Sequence, residues 1–384
     1  MGQVNELTGQ LVTPVGAAPA RITVDGGIIT SVTEDPTAWE PAGLTLVPGF
    51  VDLHNHGGHR GSFPDGTADD CRRAARFHRR HGTTTMLASL VSATEQAMTA
   101  QVPVLADLVD EGLLAGIHLE GPFINSGRCG AQDPAAIIPG DPDMLDRVAT
   151  AARGHVRAVT FAPETAHAHE LLDVCAAHTI IASLGHTDAT YEQTLELVDA
   201  AVDRNVTVTA THLFNAMPPL HHRAPGAAAA MITAAATSHA HVELIADGVH
   251  LADGTVDMLR HSVADGAFFV TDAMQAAGMP DGDYTLGTLD VTVADGVARL
   301  SAPDGAVGAI AGGTTTLADQ FARHLRRGVG LSDLVRATST TAAGLLGLGD
   351  GGIVEGGRAD LVGLDDNGQV MLVVAGGEII TDNR

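Results

Sequence analysis

Histidine and carboxylate residues recur at the ends of β-type runs in this sequence of 384 residues. The first such run, LVPGFVDLH, ends at His54 and is followed two residues later by His56. An i, i+2 spacing on an extended chain points both imidazoles to one side. Later runs end at a further set of such residues: Glu120, His186, His212 and Asp272. Imidazoles and carboxylates are the ligands expected for a borderline divalent ion such as zinc, so the pattern predicts a metal site with an open position.

Each of these residues also has an ordinary interpretation. A single one of the 19 histidines is more often solvated or hydrogen-bonded than bound to a metal, and a lone terminal Glu or Asp is commonly a helix cap. Capping does not explain why histidine recurs at the same relative point of separate runs. The recurrence therefore favours the metal site, while histidines in helical or loop contexts stay unassigned: His78, His81, His221, His222, His239 and His261.

The elements that must position these residues alternate between strand and helix. Helical patterns such as DDCRRAARFHRRH and TYEQTLELVDAAVDRN separate the candidate strands, and such alternation is typical of α/β folds. The pattern predicts a (β/α)8 TIM barrel, in which functional residues lie at the carboxyl ends of the strands. A doubly wound open sheet is the alternative, although no GxGxxG follows the first strand. The candidate strands are eight runs: 46–54, 83–90, 115–120, 156–163, 179–186, 206–213, 241–247 and 267–273.

The two ends of the chain share a different pattern from the middle. Short β-type runs broken by turns occur in ARITVDGGIITSV near the start and in GGIVEGGRADLVGLDDNGQVMLVVAGGEII near the end. Asp-Gly and Gly-Gly pairs between alternating runs indicate hairpins. We therefore expect one small sheet domain formed by residues 1–49 and 346–384, with the barrel between them at 50–345.

Composition excludes several classes of protein. There are 21 basic and 46 acidic residues, a formal charge of −25, which argues against a general nucleic-acid or anionic-membrane binder. The three cysteines form no CxxC pair, so neither a disulfide framework nor a thiolate zinc site is predicted. The polar start MGQVNELTGQLV and the lack of an 18-residue apolar span predict a cytoplasmic protein without a membrane anchor.

Longer motifs carry more specific information. VPGFVDLHNH and GIVEGGRADLV resemble the opening and closing segments of the amidohydrolase superfamily. Within it, HLEGPF, LGHT, THLFNAMPPL, ADGVHL, TDAM and AIAGGT resemble the family of N-acetylglucosamine-6-phosphate deacetylases, from about residue 45 to the end of the chain. The resemblance implies a barrel with a β-sandwich, assembled as a homodimer. It also implies a carbon–nitrogen hydrolase that releases acetate and glucosamine 6-phosphate in amino-sugar catabolism and cell-wall recycling.

The resemblance also implies a role for each matching residue. Glu120, His186 and His212 would hold one metal ion, His54 and His56 would hold a second, and Asp272 would be the catalytic acid-base. We expect one or two divalent ions per subunit, with zinc as the leading candidate and iron, cobalt and manganese as alternatives. Arg223 would reach a substrate phosphate across the dimer interface. The remaining residues implied in substrate binding are Ala131, Gln132, Asn215, Ala216, His250, Ile310, Ala311 and Gly312.

Two residues of the segment SGRCGAQDP stand apart from the family. Gln132 occupies a position at which many members carry a histidine, and glutamine donates a hydrogen bond but carries no charge. Cys129 is either a small loop residue, the preferred interpretation, or an exposed thiol on a lid. The alternatives to the implied activity are deacetylation of N-acetylgalactosamine 6-phosphate, hydrolysis of cyclic amides, and a non-catalytic barrel used for binding.

Overall fold

The computed structural model describes residues 2–38, 43–301, 306–349 and 351–384. Contacts between Cα atoms divide the chain into two compact units. The first comprises Met1–Asp52, Arg76–Met86 and Thr315–Arg384, and the second comprises Leu53–Ala75 and Leu87–Thr314. The domain boundaries expected from the sequence, at 49/50 and 345/346, stay a prediction.

The first unit contains a seven-stranded sheet built from both ends of the chain, as predicted. Thr45–Pro48 pairs in parallel with Glu6–Thr13 and antiparallel with Leu361–Leu364, which joins the two ends. Alternate residues such as Leu7 and Leu11 are buried, as expected for strands with one face on a core. In sheet order the strands are Glu378–Asp382, Val370–Ala375, Leu361–Leu364, Thr45–Pro48, Glu6–Thr13, Gly16–Asp25 and Ile28–Glu34.

A second sheet of eight strands forms the predicted barrel, and its neighbouring strands run parallel. The end of the eighth strand lies beside the end of the first through a parallel bridge between Asn55 and Ala273. The strands are almost fully buried, which explains their continuous apolar runs. In order they are Phe50–Asp52, Thr83–Leu90, Gly116–Glu120, Val156–Phe161, Ile181–Leu184, Val208–Ala210, His241–Leu244 and Ala267–Phe269.

A helix follows each of the first seven barrel strands. The two helical patterns quoted from the sequence form Ala68–Arg80 and Tyr191–Asp203. The second of these begins with a capping box between Thr190 and Gln193, and such a cap contributes about 1 kcal/mol. The other α-helices are Glu95–Asp110, Pro142–Ala151, Ala168–His178, Gly226–Ala236, Asp253–Ser262, Leu317–Arg326, Leu331–Val335 and Thr341–Leu345. The shorter elements are Pro36–Ala38, Gly57–Gly58, Gly61–Ser62, Ser126–Arg128, Ala264–Gly266 and Arg336–Thr340.

The first predicted strand was wrong in one respect. The run 46–54 is two strands in different sheets, Thr45–Pro48 and Phe50–Asp52, separated by Gly49. A Cβ atom at Gly49 would lie 2.0 Å from Oγ1 of Thr84. Only glycine therefore lets the chain change sheets at this point. An apolar run carries no signal for such a change, because both strands are buried.

A three-stranded antiparallel sheet, absent from the sequence prediction, follows the eighth barrel strand. Its strands are Gly282–Leu286, Leu289–Ala294 and Val297–Leu300. Its buried side chains, Val291 among them, pack against Met274 and Ala311. The segment after the sheet returns to the barrel, where the backbone nitrogen of Gly313 donates to the carbonyl of Asp272 at 2.6 Å. Among the described residues, no helix has the length and apolar character needed to span a membrane.

Candidate metal and active site

Barrel strand ends position the six residues predicted for the metal site. His54 and His56 follow the first strand, Glu120 is the last residue of the third, and the others follow the fifth, sixth and eighth strands. His186, His212 and Asp272 have positive φ angles of 48°, 26° and 47°. Non-glycine residues in such conformations cost about 1–3 kcal/mol each. The backbone is thus in the left-handed region at three of the six positions. Packing and hydrogen bonds elsewhere in the barrel must offset this conformational free energy.

The first ligand group consists of Glu120, His186 and His212. Oε1 of Glu120 lies 2.9 Å from Nε2 of His186 and 2.9 Å from Nε2 of His212. These two ring nitrogens are 3.1 Å apart. All three side chains are buried. Two imidazole nitrogens and a carboxylate oxygen therefore converge on one point, which is the donor set of a divalent transition metal.

The second ligand group consists of His54, His56 and the same carboxylate. Nε2 of His56 lies 3.2 Å from Oε2 of Glu120, and Nε2 of His54 lies 3.6 Å from Oε1. The two histidine Nε2 atoms are 3.1 Å apart. Glu120 thus belongs to both groups and stands between them. The i, i+2 spacing in the sequence indicated this convergence of the two imidazoles.

The electrostatics of the cluster favour a cation at its centre. Burial alone would lower the pKa of His56, but hydrogen bonds with the Asp272 and Glu120 carboxylates raise it to about 9. Burial likewise opposes the pKa rise of His54, which the negative charges of Glu120 and Asp272 drive well above the usual value. Two buried carboxylates thus concentrate negative charge beside these imidazoles. The donor set and the charge therefore both fit a divalent metal ion.

Asp272 lies at the edge of this cluster and faces the cavity. Its Oδ1 is 3.2 Å from Nε2 of His56 and 3.5 Å from Nε2 of His54. Burial would raise the pKa of Asp272, but the charge of His54 and the hydrogen bond from His56 lower it to about 2. The carboxylate is therefore ionised at neutral pH.

A buried carboxylate that the sequence analysis missed supports both ligand groups. Oε2 of Glu243, on the seventh strand, lies 3.0 Å from Nδ1 of His54 and accepts the backbone N–H of His212 at 3.0 Å. A carboxylate on the outer nitrogen of a ligating histidine fixes its tautomer and ring orientation. Glu243 lies inside the run HVELIAD, where an acidic residue in an otherwise apolar buried strand is the signal that could have indicated it.

His118 is a second unpredicted residue beneath the cluster. Its Nδ1 lies 2.9 Å from Oγ of Ser89, and its Nε2 lies 2.8 Å from Oγ1 of Thr160. Burial, reinforced by the charge of His54, holds the pKa of His118 well below its usual value. The ring packs edge-on against His54, with centroids 4.6 Å apart. His118 is thus a neutral support for His54 rather than a member of either ligand group.

A cavity of about 210 Å³ opens over the ligand groups. His250 lies in its wall, and Nδ1 of that ring is 2.8 Å from Oδ2 of Asp247. Burial would raise the pKa of Asp247, but the hydrogen bond with His250 lowers it. Most of the predicted site residues line this cavity: His56, Glu120, Ala131, Gln132, His186, His212, Asn215, Ala216, His250, Asp272, Ile310, Ala311 and Gly312.

Three predicted site residues are not in the lining of this cavity. His54 is fully buried. Arg223 is exposed on a loop, where its Nη1 lies 2.7 Å from Nε2 of His222. Cys129 is half-buried, and its carbonyl accepts the backbone N–H of Gln132. Most candidate metal ligands and sugar-binding residues therefore line one cavity, whereas Arg223 lies outside the cavity of its own chain.

A parallel barrel with histidines and carboxylates gathered at the carboxyl ends of its strands has the architecture of a metal-dependent barrel enzyme. The sequence model of the amidohydrolase family matches residues 45–380. The chain belongs to this family and, within it, to the N-acetylglucosamine-6-phosphate deacetylases.

Two relatives support this assignment, and a third has a related name. The N-acetylglucosamine-6-phosphate deacetylase of Bacillus subtilis is 34% identical, with 92% of this chain and 91% of the relative covered. The structure of a mutant of the Mycobacterium smegmatis deacetylase, in complex with N-acetyl-D-glucosamine-6-phosphate, is 38% identical with a TM-score of 0.90. That comparison covers 99% of this chain and 100% of the other. An N-acetylgalactosamine-6-phosphate deacetylase of Escherichia coli is 29% identical, with 94% of each chain covered.

Proposed function

We propose that the protein hydrolyses the acetamide of N-acetyl-D-glucosamine 6-phosphate to acetate and D-glucosamine 6-phosphate. The observation that carries the proposal is the shared carboxylate of Glu120, which joins two histidine groups within 3.6 Å and beside Asp272. The B. subtilis and E. coli relatives are both named as deacetylases of phosphorylated N-acetyl sugars. Such a site combines a place for a divalent ion with a carboxylate able to move a proton.

The ligand residues have two tasks in this proposal. Glu120, His186 and His212 would hold the main ion, and His54 with His56 would hold a second ion. Zinc fits the mixture of imidazole and carboxylate best, although iron, cobalt and manganese bind similar donors. A bound divalent ion supplies Lewis acidity and lowers the pKa of water from about 15.7 towards about 7.

Asp272 moves the proton during the reaction. Its ionised carboxylate takes the proton from the attacking water as the carbon–oxygen bond forms. It then returns that proton to the amide nitrogen as the carbon–nitrogen bond breaks, so that the amine leaves neutral. A general acid-base of this kind contributes about 10²–10⁴-fold in rate.

The cavity wall orients the sugar and its acetamide. The hydrogen bond between His250 and Asp247 fixes the imidazole ring and leaves Nε2 for a polar substrate atom such as the acetamide oxygen. Asn215, Ala216 and residues 310–312 line the same cavity, and in this proposal they contact the sugar. Ala131 and Gln132 complete the proposed binding surface.

Arg223 provides the phosphate contact in this proposal, from a neighbouring subunit. It is exposed and lies outside the cavity of its own chain, which is the position expected of a residue that serves a partner's site. A guanidinium matches phosphate oxygens in a bidentate geometry. We therefore propose a homodimer, and a cytoplasmic location where sugar phosphates are metabolised.

The experiment that tests the function is acetate release from four compounds by metal-loaded protein. N-acetylglucosamine 6-phosphate should be the best substrate by kcat/KM, and its unphosphorylated form should be poor because the phosphate contact is absent. N-acetylgalactosamine 6-phosphate is the second candidate substrate, because the name of the E. coli relative contains this compound. A cyclic amide should not be hydrolysed. Preferential hydrolysis of the cyclic amide, or no turnover of any phosphorylated sugar, would refute the proposal.

A further inference from the structure

Gln132 has a contact that a role in sugar binding does not explain. The residue is only 3% exposed. Its Oε1 accepts the backbone N–H of Ser92 at 2.6 Å, and its Nε2 donates to Oε2 of Glu120 at 2.5 Å. The side chain therefore connects a fixed main-chain position directly to the carboxylate that both ligand groups share.

The chemistry of its two neighbours determines the orientation of this amide. The backbone N–H of Ser92 can only donate, so the carbonyl oxygen of Gln132 must face it. An ionised carboxylate can only accept, so the amide N–H must face Glu120. A flipped amide would place donor against donor and acceptor against acceptor, and both hydrogen bonds would be lost. The orientation is thus fixed by its surroundings.

The anchored oxygen of Glu120 is the one that the first ligand group does not use. Oε1 lies 2.9 Å from both His186 and His212, whereas Oε2 accepts from Gln132. Holding Oε2 against a fixed donor prevents rotation of the carboxylate about its last bond. Oε1 is then held towards the two imidazoles before any ion binds, and such preorganisation improves affinity by lowering the ordering cost of binding.

We propose that Gln132 is a positioning residue that anchors Glu120 and thereby strengthens metal binding at the group of Glu120, His186 and His212. The inference rests on the proposed function, which places a metal ion at that group. It assigns Gln132 a task towards the ion in addition to its place in the cavity wall. A residue that touched only the sugar would change KM without changing the affinity of the substrate-free protein for metal.

The test is calorimetric titration of Zn²⁺ into metal-free protein, without substrate. Replacement of an outer partner of a metal ligand typically costs about 10–100-fold in affinity, and we expect Gln132→Met to weaken the tightest Zn²⁺ site by that factor. Gln132→His retains a donor and an acceptor and should restore most of the affinity. Gln96→Met, on the exposed side of helix Glu95–Asp110, is the matched control and should leave the affinity unchanged.

Thermal unfolding of the metal-free variants checks that each is folded before titration. If Gln132→Met binds Zn²⁺ within about threefold of the original protein, well below the expected loss, the positioning role is wrong, and a rise in KM alone would assign Gln132 to the sugar. If no form of the protein releases acetate, the proposed function fails, while the metal-affinity result still decides the role of Gln132.

Discussion

Replacement of Glu243 tests how far the metal site depends on residues outside the ligand groups. Oε2 of this buried carboxylate interacts with Nδ1 of His54 and with the backbone N–H of His212, both at 3.0 Å. Glu243→Ala removes the acceptor oxygen that these two buried donors share, at about 1–3 kcal/mol each. We therefore expect the metal-free protein to lose about 2–6 kcal/mol of unfolding free energy.

The same change should weaken metal binding, because the two partners of Glu243 belong to different ligand groups. The loss of an outer partner reduces affinity by about 10–100-fold, which corresponds to about 1.4–2.8 kcal/mol. Glu243→Gln should be milder than Glu243→Ala. Both N–H groups donate to the same carboxylate oxygen, and the glutamine amide also offers an acceptor oxygen. Hydrogen bonds to this neutral acceptor are weaker by about 1 kcal/mol each.

The assay combines Zn²⁺ titration of metal-free protein with denaturant unfolding of the same preparation. Glu196→Gln, on the exposed face of helix Tyr191–Asp203, is the control and should change neither quantity. The reasoning is refuted if Glu243→Ala keeps the original Zn²⁺ affinity and unfolding free energy, or if the Gln variant is weaker than the Ala variant in both measurements.

Three further predictions concern single residues. Asp272→Asn should lower the rate of acetate release by about 10²–10⁴-fold with normal metal content by elemental analysis, and near-normal turnover would contradict its acid-base role. Arg223→Ala should raise KM for the phosphorylated sugar but not for the unphosphorylated one, whereas equal changes would exclude a phosphate contact. A thiol reagent at neutral pH should modify only half-buried Cys129 in the folded protein. Burial raises the pKa of both Cys71 and Cys175 to about 12, and labelling of either one by mass spectrometry before unfolding would contradict this expectation.

The sequence predicted the barrel because strand and helix patterns alternate strictly over the middle of the chain. It also indicated the ligand candidates, because histidine, glutamate or aspartate stands at the ends of five of the eight predicted strands. The two-strand nature of run 46–54 was not predictable from hydrophobicity, because Thr45–Pro48 and Phe50–Asp52 are both buried strands. The sheet at residues 282–300 was not predicted, because its short, partly exposed strands lie outside the strand–helix alternation.

The supporting residues were missed for a different reason. Glu243, His118 and the contact between Gln132 and Glu120 depend on which side chains meet across the barrel. Those pairs lie on different strands or loops, and linear spacing carries no information about them. Hydrogen-bond geometry in three dimensions is therefore what separates a ligand from the residue that positions it.

The most direct test of the central claim is metal reconstitution of chelator-stripped protein. Acetate release from N-acetylglucosamine 6-phosphate should fall to the background rate without metal. It should return in proportion to added Zn²⁺, with saturation at one or two ions per chain, and Glu120→Gln should neither retain the tight ion nor recover. Turnover by metal-free protein at the rate of the loaded protein, or full metal occupancy in active Glu120→Gln, would contradict a metal-dependent deacetylase centred on Glu120.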